Sequence, residues 1–346
     1  MSIEASTLPG RRARSSWHTV GAYVALTKPR IIELLLVTTL PTMVVAQRGL
    51  PPVWLMAATL VGGALAAGGA NAINMYVDRD IDRVMKRTKN RPLVTGAMTP
   101  TAALVFALAL EVAAFVELWL AVNLLSAALA ISATLFYVFV YTLWLKRRSS
   151  QNIVIGGAAG AVPVLVGWAA VTNSLAWAPV VMFAIIFIWT PPHFWSLAVR
   201  YRDDYAAADV PMLPVVASMK RTTTEIVYYT VALVAASFLL GPVAHLGWVY
   251  MITAAVLGAG FLYLVTRLWG LAQNSQVGGR DAMRVFGYSI TYLTVLFVAM
   301  AGDVLISNHV HIHWLAPNSW NVTRSASTGR KSPAAIPSRM AARTIS

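Results

Sequence analysis

Nine apolar runs, each long enough to cross a bilayer as a helix, recur along the chain at about 31–47, 53–77, 101–121, 124–145, 152–172, 176–199, 225–245, 247–269 and 284–306. A spanning helix needs about 20 mainly apolar residues, and in lipid its backbone groups have no partner but each other. The pattern therefore predicts an all-α polytopic membrane protein with nine transmembrane helices. Residues are 58% hydrophobic and 12% charged, and no segment outside the runs could bury a soluble core of its own. The chain has no cysteine, which excludes disulfides, thiolate catalysis and cysteine-ligated metal or iron–sulfur centres.

The net charge of +14 raises the question of a nucleic-acid partner, and the distribution of the charge answers it. With the N-terminus in the cytoplasm, the N-terminal arm and the loops at 78–100, 146–151, 199–224 and 267–284 hold 21 of the 27 Lys and Arg. The turns on the other side are short and nearly neutral. This is the asymmetry of a membrane protein with positive loops inside, and it excludes nucleic acid as a partner. Residues 1–30, with Arg11, Arg12 and Arg14, read as a cytoplasmic arm rather than a mitochondrial transit peptide. That reading places the protein in a bacterial cytoplasmic membrane rather than the mitochondrial inner membrane. A membrane domain follows over 31–306. The tail at 307–346, rich in Ser, Ala, Arg and Pro, is expected outside the cytoplasm and disordered. His309, His311 and His313 alternate at its start; on a strand they would share a face, but they lie on the side away from the other polar clusters.

The second span ends in a concentration of chemistry, NAINMYVDRDIDRVMKRTKNRPL at 71–93. On a helix Asn71, Asn74, Asp78 and Asp82 fall within an arc of roughly 80°, with Asp80 pointing away. Carboxylates four apart on one face repel each other. A divalent cation reverses that penalty, and Mg²⁺ suits one or two carboxylates completed by substrate phosphates. Arg83, Lys86, Arg87 and Arg91 follow, placed to face a diphosphate. A solvated, charge-mixed loop is the plain alternative for the acids alone; the two asparagines running back into apolar sequence favour a site.

The sixth span carries WTPPH at 189–193, which predicts a break with Thr190 as cap and Pro191 as the first residue of a restarted helix. From the restart His193, Ser196, Arg200 and Asp204 share a face. Polar residues held there inside a membrane helix mark a site, although a lone histidine serves packing as readily. The loop beyond adds Asp203, Asp204 and Asp209, and Pro211 and Pro214 make 205–214 irregular. Two acidic clusters on cytoplasmic loops, each followed by basic residues, suit two metal ions on one diphosphate. Small-residue stretches, GGALAAGG in the second span and GGAAGAV from Gly156, read as close helix packing.

Together these segments resemble the UbiA-type intramembrane prenyltransferases over roughly residues 20–305. Asn74, Asp78 and Asp82 match that family's N-x-x-x-D-x-x-x-D motif. DRDIDRVMKRTKNRPL at 78–93, NIVIGGAAGA at 152–161, TPPHFW at 190–195 and DDYAAADVPMLPVV at 203–216 point to its heme-directed branch. The resemblance implies a nine-helix bundle around a central cavity. It implies transfer of farnesyl from farnesyl diphosphate to a vinyl group of heme B, with addition of water, giving heme O and diphosphate. Asn74, Asp78 and Asp82 would hold Mg²⁺; Arg83, Lys86, Arg87, Arg91 and Arg200 would bind diphosphate; Asp204, with Asp203 or Asp209, would serve a second metal. Asp204 and Asp209 are five apart rather than the family's four, so the partner of Asp204 stays open. His193 is the candidate for orienting or ligating heme, and Tyr137 and Tyr141 for lining the cavity. Heme A synthase and terminal-oxidase assembly are candidate partners. The alternatives are a prenyltransferase acting on a quinone precursor or chlorophyllide, a secondary transporter, and a heme-handling membrane protein without catalysis.

Overall fold

The structure, a computed structural model, describes residues 16–314; side chains at 16–18, 30–36 and 308–314 fall outside that description. The expectations for the arm before residue 16 and the tail after 314 therefore lie outside the described residues. In chain order the helices are α1 (Ser16–Thr27), α2 (Pro29–Gln47), α3 (Val53–Val77), α4 (Arg79–Val84), α5 (Pro100–Ala121) and α6 (Leu124–Leu135). α6 runs on into a π-helical segment, π1 (Phe136–Leu145). Then come α7 (Asn152–Thr172), α8 (Trp177–Arg200), α9 (Arg202–Ala207), α10 (Leu213–Val216), α11 (Met219–Val243), α12 (Trp248–Gln273) and α13 (Gly279–Trp314).

Eight of these, with α6 and π1 counted as one, are long and apolar enough to cross a membrane, and each coincides with an expected span. The remaining expected span matches α2, which is helical over 19 residues. The boundaries follow local chemistry. Thr99 accepts from the Ala102 N–H with Pro100 at the first helical position, Asn123 accepts from Ser126, and Ser218 accepts from Arg221. Each such cap satisfies an orphan donor and is worth about 1 kcal/mol.

α2, α7, α8, α11, α12 and α13 share one apolar core, with Trp195, Tyr250, Phe261, Tyr292 and Phe297 fully buried. A second cluster, dominated by alanine, joins α3, α5, α6 and α7. Large apolar side chains such as Val112 and Leu120 on α5, Leu239 on α11 and Val256 on α12 are exposed on the outside, where lipid satisfies them. α1, the last part of the expected arm, packs Ala22 and Leu26 against Ala72 and Met75 of α3 and Ala103 and Ala107 of α5.

Three local expectations are corrected. α8 does not break at 189–193; it is one helix of 24 residues with Pro191 and Pro192 inside it. Two prolines remove two intrahelical donors. Thr190 Oγ1 donates to the Ile186 carbonyl at 2.9 Å and Ser196 Oγ to the Pro192 carbonyl at 2.6 Å, and α7 and α13 grip the segment from two sides. The prolines free the Phe187 and Ile188 carbonyls, which neither of these hydroxyls reaches, so it is packing against neighbouring helices that lets the segment stay helical. Residues 205–214 are not wholly irregular: α9 covers 205–207 and α10 starts at Leu213, with Pro214 in its first turn. The backbone at 309–314 is helical, so the strand geometry that would align His309, His311 and His313 does not apply.

The two grooves that stand out are peripheral and open, one against Tyr23, Thr99 and Phe106, the other between Arg200 and Gly279–Arg284. Neither is the expected central cavity.

Candidate active site

α3 passes into α4 through a single residue, Asp78, at φ −84° and ψ 7°. Its N–H still bonds the Asn74 carbonyl, and the Asp82 N–H bonds the Asp78 carbonyl, both at 2.9 Å. The i to i+4 register thus survives the junction and keeps Asn74, Asp78 and Asp82 on one face. All three are buried, at 3%, 0% and 2% exposure. Asn71 departs from the set, since its amide donates to the Thr27 carbonyl at the end of α1.

Burying two carboxylates this deeply demands positive partners, and three separate segments supply them. Lys146, at the end of π1, bonds Asp78 Oδ2. Lys28, between α1 and α2, donates to Asn74 Oδ1 at 2.9 Å. Arg91 reaches both Asp82 oxygens from one nitrogen, at 2.8 and 2.6 Å. Arg147 forks onto Asp80 at 2.7 Å per bond and holds that carboxyl at about 2, chiefly through this bond. Asn74 itself donates to Asp78 Oδ2 at 2.7 Å and to Thr142 at 3.2 Å.

Lys28 is held at φ 52°, in the left-handed region, directly before Pro29. For a residue with a Cβ this costs of order 1–2 kcal/mol, and it aims the ammonium at Asn74. Desolvation, aided by the charges of Arg91 and Lys146, pulls Lys28 down to about 7. π1 is the second local departure. The Lys146 N–H bonds the Tyr141 carbonyl and Thr142 Oγ1 the Tyr137 carbonyl, each five residues back. Shifting the helix from an α to a π register turns Thr142 and Lys146 together towards α3. Gly156 permits this packing, because a Cβ there would lie 2.3 Å from the Tyr141 ring; one on Gly157 would meet Thr190 at 2.9 Å. The GGAAGAV stretch is thus close packing, as expected.

The second acidic loop reaches the first through an apolar clasp. Ile81 on α4 and Met85 at its end pack with Ile153, Ala198, Tyr205, Val210 and Met212, with Tyr141 and Tyr201 against them. Across it Asp204 Oδ2 accepts the Arg87 N–H at 3.3 Å. Burial raises the Tyr205 phenol, with Arg87 opposing the shift. Asp203 and Asp209 are exposed, the latter at φ 51°. Arg83 and Lys86 are also exposed, on the rim of the same loop. Tyr137 and Tyr141 stack on each other at 5.3 Å.

His193 is placed elsewhere. Its ring lies between Trp189 at 4.2 Å and Phe286 at 4.5 Å, and Nδ1 meets Ser289 Oγ at 2.7 Å. These neighbours belong to α8 and α13 and not to the acidic face. Arg200 opens onto the groove beside Gly279 and Arg280. Lys28, Thr142, Lys146 and Arg147 are the site residues that sequence reasoning missed. Lys146 and Arg147 counted there only towards loop charge, and nothing in sequence marks a π register.

Asp78 Oδ1 is fully buried and accepts no hydrogen bond, with Arg147 4.0 Å away. Such an orphaned anionic oxygen, beside an amide and a second carboxylate, fits a hard divalent cation. Among the described residues no group of three or more acidic or histidine side chains gathers on one point. The donor set therefore suits an ion that keeps positions for substrate oxygens.

The class this defines is a helical membrane bundle with a buried amide–carboxylate face closed over by cations at one end. The sequence profile of the UbiA prenyltransferase family matches residues 35–290, and the chain belongs to that family. It is 55% identical over 285 residues to the protoheme IX farnesyltransferase of Pseudarthrobacter chlorophenolicus, covering 82% of this chain and 89% of the relative. The protein of that name from Frankia alni is 57% identical over 289 residues, 83% of this chain and 99% of the relative. Among solved structures, a digeranylgeranylglyceryl phosphate synthase superposes with TM-score 0.68 at 17% identity, covering 83% of this chain and 99% of that one. A UbiA homologue from Archaeoglobus fulgidus bound to DMAPP and Mg²⁺ gives 0.56 at 16%, covering 82% and 99%. These two likenesses show the fold.

Proposed function

We propose that this chain transfers the farnesyl group of farnesyl diphosphate to a vinyl group of heme B, in a bacterial cytoplasmic membrane. The farnesyl C–O bond breaks and a C–C bond forms to the outer vinyl carbon. Water adds its oxygen to the inner vinyl carbon and releases a proton, leaving heme O and diphosphate. The observation that carries this reading is the buried Asn74–Asp78–Asp82 face with its orphaned oxygen, in a chain 54–57% identical to protoheme IX farnesyltransferases.

Asn74, Asp78 and Asp82 would hold Mg²⁺, which supplies Lewis-acid stabilisation of charge on the departing diphosphate. Lys28, Lys146 and Arg91 flank the same face, and Arg87, Arg83 and Lys86 lie on the loop above it, so the leaving group meets cations that are already placed. Preorganised charge of this kind commonly does more for the rate than any other single effect, with about 10²–10³ in rate lost for one donor removed. Asp204, tied to Arg87, is the acid of the second loop best placed for a second metal; the exposed Asp203 and Asp209 are the open candidates to complete it. Both faces of the His193 ring are covered and Nδ1 is bonded, so a role towards heme falls to Nε2. Consumers of heme O, such as heme A synthase or terminal-oxidase assembly, are the candidate partners.

The test is product analysis of purified protein given heme B, farnesyl diphosphate and Mg²⁺, beside Asp78→Asn and beside EDTA. Farnesylated heme that disappears in both controls is expected. Folded protein that consumes no farnesyl diphosphate with any acceptor overturns the proposal.

A further inference from the structure

We propose that the groove between the end of α8 and the start of α13 binds the carboxylates of the acceptor, the two propionates of heme B, and so sets which end of the porphyrin faces the aqueous side. This rests on the function proposed above and reassigns Arg200 from the diphosphate to the acceptor.

The groove has a volume of about 620 Å³ and is lined by Arg200, Gly279, Arg280, Met283 and Arg284. That size lies within the range of ligand sites, about 300–1,000 Å³. Three guanidinium groups on one groove repel each other unless an anion joins them. One is already answered, since Arg284 pairs with Asp281 at 3.3 Å. Arg200 and Arg280 have no carboxylate partner among the described residues. Arginine is suited to the task because its planar fork matches a carboxylate with two parallel bonds. Gly279 lies against the Arg200 side chain at the start of α13: a Cβ there would stand 2.9 Å from Arg200 Cδ, so any larger residue would shift the guanidinium.

Position favours the acceptor over the diphosphate. Two cations approach the Tyr201 ring, Arg87 at 5.7 Å and Arg200 at 5.9 Å from its centroid. Arg87 belongs to the acidic site and Arg200 to the groove, so the two sites adjoin at this ring. From the groove both helices turn apolar and aromatic as they enter the membrane. Met283, Phe286 and Ser289 follow at three-residue spacing on α13, and Arg200, Ser196 and His193 at four- and three-residue spacing on α8. Phe286, Ser289 and His193 are in mutual contact. Cations at the aqueous end of apolar, aromatic helix faces complement a flat apolar ring system that carries its two carboxylates along one edge. A phospholipid phosphate shares the anionic chemistry but not the flat ring.

The experiment compares wild type with Arg280→Gln/Arg284→Gln, two exposed positions, in nanodiscs of phosphatidylcholine and of phosphatidylcholine with phosphatidylglycerol. Affinities for heme B and heme B dimethyl ester are read from the Soret band, and farnesyl diphosphate affinity separately. We expect the double variant to bind heme B about 10-fold more weakly in both lipids, a change of about 1.4 kcal/mol. Its affinity for the dimethyl ester and for farnesyl diphosphate should stay unchanged, and its thermal midpoint within about a degree of wild type. Equal heme B affinity in variant and wild type overturns the proposal, as does an equal loss for the dimethyl ester. A loss confined to phosphatidylglycerol nanodiscs overturns it in favour of a lipid phosphate. Turnover of the dimethyl ester by wild type separates the two ideas. If the ester is farnesylated while the arginines prove irrelevant, the enzymatic reading stands and the groove assignment alone falls.

Discussion

Replacing Lys146 by Met keeps most of the length of the unbranched side chain and removes its charge from the most deeply buried carboxylate of the site. The Asp78 side chain is 0% exposed and that of Lys146 17%. Removing one partner of a buried ion pair costs about 3–5 kcal/mol, because the other charge is left unanswered. Two groups soften this. Asn74 still donates to Oδ2, and Arg147 stands 4.0 Å from Oδ1. Arg147 is partly exposed and already engaged by Asp80, so its compensation amounts to no more than about 1 kcal/mol. The net loss is then about 2–4 kcal/mol. For a chain of this size each kcal/mol moves the midpoint by about 2 °C, so a fall of about 4–8 °C is expected in EDTA, followed by the fluorescence of the 12 tryptophans. Mg²⁺ should reverse it. At about 100 times its dissociation constant a ligand adds about 2.7 kcal/mol, and in the variant the ion meets no competing ammonium. The midpoint of Lys146→Met should therefore rise by about 5 °C with Mg²⁺, and that of wild type by clearly less. Equal midpoints in EDTA, or equal responses to Mg²⁺, would refute the idea that Lys146 occupies the place of the metal's charge.

Lys28→Gly separates strain from function: glycine accepts φ 52° freely, so the midpoint should hold or rise while turnover falls at least about 10-fold, and unchanged turnover would remove Lys28 from the site. Gly156→Ala drives a methyl group to 2.3 Å from the Tyr141 ring and should cost about 1–3 kcal/mol by overpacking, read as a lower midpoint. The Asp80–Arg147 pair has a defined pH window. Asp80 is depressed from 3.8 to about 2, so its contribution is present above about pH 4 and lost as pH falls towards 2. Because the pair is largely exposed, the effect stays below about 1 kcal/mol. A pH series of midpoints from 5 to 2 should show that slope in wild type and lose it in Arg147→Gln.

Hydropathy and length located eight spans, because in lipid a helix must satisfy its own backbone. α11 and α13 nevertheless begin at Met219 and Gly279, ahead of the expected starts, because their polar first turns carry no hydropathy signal. The N-x-x-x-D-x-x-x-D face was equally legible, since a four-residue spacing is a local property that one helix carries by itself. Three features were decided elsewhere. Whether WTPPH breaks α8 depends on the helices packed around it, which keep the segment helical although two backbone hydrogen bonds are missing. The cations that answer Asp78 and Asn74 come from positions 68 and 46 residues away, aimed by a π register and a left-handed backbone that follow from packing rather than propensity. Asp204 meets Arg87 because an apolar clasp draws two separate loops together, and Arg200 meets the start of α13 because two helix ends converge there. A single chain segment determines its own periodicity and its own face. Which charges are buried together, and what must therefore neutralise them, is settled when the helices pack, because the cost of an unpaired charge appears only once water has been excluded.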